Sequence, residues 1–95
     1  MCGFVGFCSL KQKVSDKVHT LTEMTQTLAN RGPDEENFYI SEHIALGHRR
    51  LIIIDAENGK QPMSAKIDDT TFTIVYNGQL YNSKDLRKEL IDLRL

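Results

Sequence analysis

Residues 2–8 read Cys2-Gly3-Phe4-Val5-Gly6-Phe7-Cys8, directly after Met1. Apolar residues are interspersed there with small ones, a pattern that suits a buried strand whose glycines let a second backbone approach closely. Such a strand holds the start of the chain inside structure. Further on, Val18, Leu21, Met24 and Leu28 recur at helical spacing, so one amphipathic helix is expected from Ser15-Asp16, which supplies the N-cap, to Asn30. Arg31-Gly32-Pro33-Asp34 ends it, because proline cannot continue a helix and glycine suits a tight turn.

Residues 37–40 and 44–54 are strand-like runs joined by Ser41-Glu42-His43, and a hairpin is expected. Residues 55–69 contain the turn signals Asn58-Gly59 and Gln61-Pro62 and read as a long loop. Residues 70–77 alternate as a strand, with Phe72, Ile74 and Tyr76 on one face. Asn82-Ser83 caps a last helix with Leu86, Leu90 and Leu93 on one stripe. The order β-α-β-β-β-α defines an α+β class with helices on the outer faces of sheet.

The 95 residues make one small domain or a piece of a larger one. Twelve Lys+Arg against 13 Asp+Glu leave a net charge of −1 without long blocks of either sign, so neither nucleic acid nor a membrane surface is an expected partner. The apolar run Leu51-Ile52-Ile53-Ile54 is far shorter than the ~20 residues of a membrane span. Cys2 and Cys8 on one strand stand ~20 Å apart, beyond disulfide reach. Free thiols and the lack of a secretory signal pattern at residues 1–6 point to the cytoplasm.

Cys2 is the strongest chemical feature. Removal of Met1 would expose a free α-amino group beside its thiol, and an amine with a reference pKa near 7.7–8.0 can take the thiol proton at neutral pH. The competing reading is a small buried apolar residue. Arg50, at the end of an apolar strand, can pair with a ligand carboxylate or be a solvated charge, as can Arg49. His48 could form a dyad with Cys2, but structural support is the preferred reading. In Tyr76-Asn77-Gly78-Gln79, the Asn77 amide and Gly78 N–H can both aim at one oxygen, as an oxyanion hole requires; an ordinary turn is the alternative. Cys2, Cys8, His19, His43 and His48 lack metal-ligand spacing, so no metal is expected. Asp34-Glu35-Glu36 and Asp68-Asp69 read as solvated turns, and no phosphate-binding loop is present.

Met1-Cys2-Gly3-Phe4-Val5-Gly6, Asn30-Arg31-Gly32-Pro33-Asp34, Leu46-Gly47-His48-Arg49-Arg50-Leu51, Gln61-Pro62-Met63 and Tyr76-Asn77-Gly78 follow one another in this order. In that order they resemble the class II glutamine amidotransferase domain, most closely the N-terminal part of the glutamine-hydrolysing asparagine synthetases. The resemblance runs the full chain. It implies an N-terminal-nucleophile hydrolase αββα sandwich, of which residues 1–95 would form the first half, a fragment of a longer gene product without the synthetase domain. It assigns Cys2 as nucleophile after loss of Met1, Asn77 and Gly78 as oxyanion hole, and Arg50 as the binder of the glutamine α-carboxylate. Where the family usually has Glu, this chain has Gln79, and loss of that charge is expected to weaken recognition of the substrate ammonium. The implied substrate is glutamine, hydrolysed through a Cys2 thioester to supply ammonia for aspartate amidation. No cofactor is expected in this chain, ATP and Mg belonging to the synthetase domain. The rival expectation is a noncatalytic remnant or self-association module. A half-sandwich should cover its open sheet with another copy, so a homo-oligomer is expected, a dimer by symmetry.

Overall fold

The computed structural model describes residues 2–53 and 59–94. Expectations placed on Met1, on the strand end at Ile54, on the Asn58 half of the Asn58-Gly59 turn and on Leu95 lie outside those residues. Seven elements run in the order β1 (Gly3–Cys8), α1 (Val18–Gln26), β2 (Glu35–Ile40), β3 (Ile44–Arg50), β4 (Met63–Ile67), β5 (Thr70–Ile74) and α2 (Ser83–Asp92). The fold is α+β, as the residue patterns predict, with two sheets, and it is consistent with part of the N-terminal-nucleophile sandwich that the resemblance implies.

β1, β3 and β2 form an antiparallel sheet in that order, with β3 central. Gly3 lies opposite Arg49 and Cys8 opposite Ile44; on the other edge Glu35 lies opposite Arg50 and Ile40 opposite Ala45. α1 packs on one face of β1 and β3. Small residues on that face of β3 admit the helix: Ala45 is fully buried, and a Cβ on Gly47 would collide with the Thr25 hydroxyl. Leu21, Val14 and Ala45 make the core, with Val5, Phe7 and Ile40 against it. Strand alternation sends Arg50 and His48 to the opposite face.

α1 is shorter than the sequence predicts. Lys17 stands at its N-cap without a side-chain cap bond, so neither Ser15 nor Asp16 caps it. Beyond Gln26 the chain tightens into three-residue turns, with Leu28 N–H donating to Thr25 O (3.0 Å) and Arg31 N–H to Leu28 O (2.9 Å). Threonines explain the weak helix: Thr22, Thr25 and Thr27 each turn a hydroxyl onto a nearby main-chain carbonyl.

β3 stops at Arg50, short of the predicted residue 54, because both neighbours run out there and the next main-chain donors turn to side chains. Leu51 N–H points at Cys2 Sγ and Ile52 N–H donates to Asp34 Oδ2 (2.8 Å). The expected 55–69 loop contains β4, which pairs antiparallel with β5 from Met63 opposite Ile74 to Ile67 opposite Thr70. Met-Ser-Ala-Lys-Ile has little strand character by composition; the partner strand supplies it. Asp68 takes the left-handed turn conformation (φ 54°), which Asp tolerates. β5 ends at Ile74 rather than 77, since Pro62 offers no N–H to extend the ladder. Asn82 stands at the N-cap of α2 but makes no side-chain cap bond, and α2 buries no residue. Neither described helix is long and apolar enough to cross a membrane.

Candidate functional site

The face of β3 away from α1 meets segments 59–61 and 76–79 around a cleft of about 380 Å³. Cys2, Arg50, Asn77, Gly78 and Gln79, the five residues singled out in the sequence, all line it, joined by Gln61 and Tyr76. Its volume lies within the ~300–1,000 Å³ of small-molecule sites. A hollow of about 420 Å³ between β1 and α1 carries none of the five.

Cys2 is delivered by the strand it precedes. Its Sγ sits 3.4 Å from the Leu51 N–H and 3.8 Å from the Leu51 carbonyl, so the sulfur is held against the end of β3. Its carbonyl accepts from Arg31 Nε (3.1 Å), which ties the start of the chain to the turn after α1. Both cysteines are free thiols. The turn is locked onto β3 in turn: Asp34 N–H donates to Arg50 O (3.0 Å), and a Cβ on Gly32 would come within 2.6 Å of the Arg50 nitrogen. Gly32 is thus required by close backbone approach.

Arg50 is 5% exposed, which excludes the solvated-charge reading. Its Nη1 donates to Glu35 Oε2 (3.2 Å), directly across the β2-β3 ladder, and Lys60 Nζ stands 3.9 Å from the other Glu35 oxygen. One residue earlier Arg49 pairs with Glu36 (2.9 Å) and donates from Nε to Gly32 O (2.8 Å), a structural role. Glu35 and Glu36 were expected in a solvated turn; they lie in β2 and anchor these arginines. Asp34 likewise serves Ile52, while Asp68-Asp69 form the expected turn.

His48 is 1% exposed, and its Nε2 has no hydrogen-bond partner. Burial pushes the ring below its usual pKa; the Tyr76 main chain raises it, Arg50 lowers it further and Glu35 raises it. The preference is therefore for a neutral ring, in keeping with a supporting role. Cys2 Sγ has its contacts with Leu51 instead.

Asn77 is half-buried at the cleft wall, and Gly78 and Gln79 are exposed beside it. The Tyr76 ring folds back over Gly78, where a Cβ would meet the phenol oxygen at 3.0 Å. Tyr76 N–H donates to Gln61 Oε1 (2.6 Å). Gln61 and Tyr76 belong to motifs that the sequence singles out, yet nothing in their spacing gave either a place in the cleft wall. The cleft thus gathers a thiol, a guanidinium, carboxamides and a main-chain N–H, a set suited to attack on a carbonyl carbon whose substrate carries a carboxylate.

A glutamine amidotransferase domain profile matches residues 1–95. Glutamine-hydrolyzing asparagine synthetase 3 of Bacillus subtilis (strain 168) is 46% identical over 90 residues, and asparagine synthetase 1 of the same organism is 42% identical over 92. Glutamine-hydrolyzing asparagine synthetase 3 of Arabidopsis thaliana is 33% identical over 90 residues. Each alignment covers 95% of this chain but only 15%, 14% and 15% of the respective relative. The chain therefore spans about 15% of the length of these curated relatives.

Proposed function

The chain belongs to the glutamine amidotransferase domain family, and from that premise we propose that its cleft hydrolyses glutamine to glutamate and ammonia through Cys2. The observation that carries this reading is the meeting of Cys2, Arg50, Asn77, Gly78 and Gln79 in one cleft. With Met1 removed, the α-amino group of Cys2 takes the thiol proton, and Sγ attacks the side-chain carbonyl carbon of glutamine. The oxygen of the tetrahedral intermediate lies on the Asn77 side-chain amide and the Gly78 N–H. The amine returns the proton to the leaving nitrogen, ammonia departs and a thioester forms on Sγ; water then releases glutamate. Arg50 holds the α-carboxylate, and Glu35 behind it keeps the guanidinium in place. Gln79 offers the substrate ammonium a neutral carboxamide. In a full-length asparagine synthetase the ammonia would go to aspartate.

Diazo-oxo-norleucine, an electrophilic glutamine analogue, tests this. Protein lacking Met1 should gain one adduct mass on Cys2 and release ammonia from glutamine, and Cys2→Ala should do neither. An adduct that persists in Cys2→Ala, or glutamine hydrolysis by protein retaining Met1, overturns the mechanism.

The exposed apolar side chains of β5 and α2, Phe72, Ile74, Ile91 and Leu93 among them, favour a second reading as a self-association module. Protein that stays unlabelled by the analogue yet sediments as a dimer supports it.

A further inference from the structure

We infer that Gln61 is a positioning residue for the Asn77-Gly78 oxyanion donors, acting through the main chain of Tyr76. This rests on the glutaminase reading for its catalytic consequence, whereas the clamp itself stands on geometry. The β4-β5 ladder pairs Met63 with Ile74; extended two residues, the same register sets Gln61 opposite Tyr76. Pro62 lies between and interrupts the main-chain ladder. At the next place the Gln61 side chain substitutes for a strand, its Oε1 accepting the Tyr76 N–H at 2.6 Å.

The Tyr76 main chain also raises the pKa of His48, a ring buried to 1% exposure on the same face of β3 as Arg50. Tyr76 is 45% exposed, so packing holds it only in part, and residues 75–79 belong to no helix or strand. What fixes Tyr76 also fixes the peptide that leads into Asn77 and Gly78. Oxyanion donors must sit about 2.7–3.1 Å from the developing charge, and a misplacement of about 1 Å costs on the order of 10²-fold in rate.

Gln61→Met keeps the side-chain length and removes the acceptor; Gln61→Glu keeps an acceptor. With Met1 removed from all three proteins, Gln61→Met should lose about 10- to 100-fold in kcat with little change in KM for glutamine, because the oxyanion exists only in the transition state. Gln61→Glu should recover most of that loss. Alkylation of Cys2 by iodoacetamide, which needs no oxyanion hole, should proceed equally in all three. Amide exchange gives a second readout independent of activity: Tyr76 N–H should exchange faster in Gln61→Met and not in Gln61→Glu, with the Thr70–Ile74 amides unchanged. A kcat loss that Glu does not recover, a rise in KM alone, or equal Tyr76 exchange in the three proteins overturns the inference. If the unmutated protein hydrolyses no glutamine, the glutaminase reading fails, and the exchange experiment still decides the clamp.

Discussion

Residues 3–50 and residues 59–94 use the same kinds of pattern with opposite results. The first region stacks α1 on a three-stranded sheet and buries Val14, Leu21, Thr25, Ala45, His48 and Arg50. The second holds the β4-β5 hairpin and α2, and buries no described residue. Phe72 and Ile74 alternate correctly for a half-buried strand, yet they are 56% and 57% exposed. An apolar stripe is only the capacity to be buried; a second layer has to lie on it. A two-stranded hairpin is marginal alone, and a ten-residue helix is below the ~12–15 residues at which isolated helices hold. The overall dimensions follow, with a radius of gyration of 15.2 Å against about 12 Å for a compact chain of this length.

The cleft lies on the seam between these regions. Cys2, which precedes β1, and Arg50 lie on the closed side of it, and Asn77 and Gly78 on the open side. Two described contacts span or brace that seam: Lys60 with Glu35 and Gln61 with Tyr76. Exposed ion pairs such as the first contribute little, so the Gln61 hold on Tyr76 is the stronger brace.

The contrast can be broken most directly at Leu21. Leu21→Ala should destabilise the chain by about 2–5 kcal/mol in urea unfolding, since it removes the centre of the core that the described residues pack; a loss under about 1 kcal/mol would show that the first region is not the stable one. A smaller effect sharpens the seam. His48 has its folded-state pKa lowered by burial, so below pH ~6.5 the unfolded chain binds a proton that the folded chain refuses. Stability should be full above that pH and fall as pH drops toward the folded-state pKa, with a slope of at most about 1.4 kcal/mol per pH unit from this group. His48→Gln should remove that part of the slope, and an identical pH profile in the variant would contradict a buried neutral ring. The smallest effect belongs to the open region. Phe72→Thr should change stability by no more than about 0.5 kcal/mol, and a loss of 2 kcal/mol in the same unfolding experiment would mean that β5 is covered in solution.

Much of the site was legible in the residues themselves. A thiol at position 2, an arginine closing an apolar strand and an Asn-Gly pair after another strand are chemically distinctive wherever they fall, and their order along the chain specified a family. The turn at Gly32-Pro33 and the β2-β3 hairpin follow from backbone sterics and local alternation, which act over a few residues. The ends of β3 and β5, the existence of β4, the burial of Arg50 against Glu35 and the hold of Gln61 on Tyr76 were decided by tertiary structure alone. Each depends on a partner brought from elsewhere: Cys2 and Asp34 for Leu51 and Ile52, β5 for β4, Glu35 for Arg50, and Gln61 for a donor 15 residues away. Local sequence sets which groups a segment offers for hydrogen bonding and burial. Which of those offers is taken up depends on what the folded chain places opposite, because a main-chain donor without a partner is costly and any acceptor within reach will do.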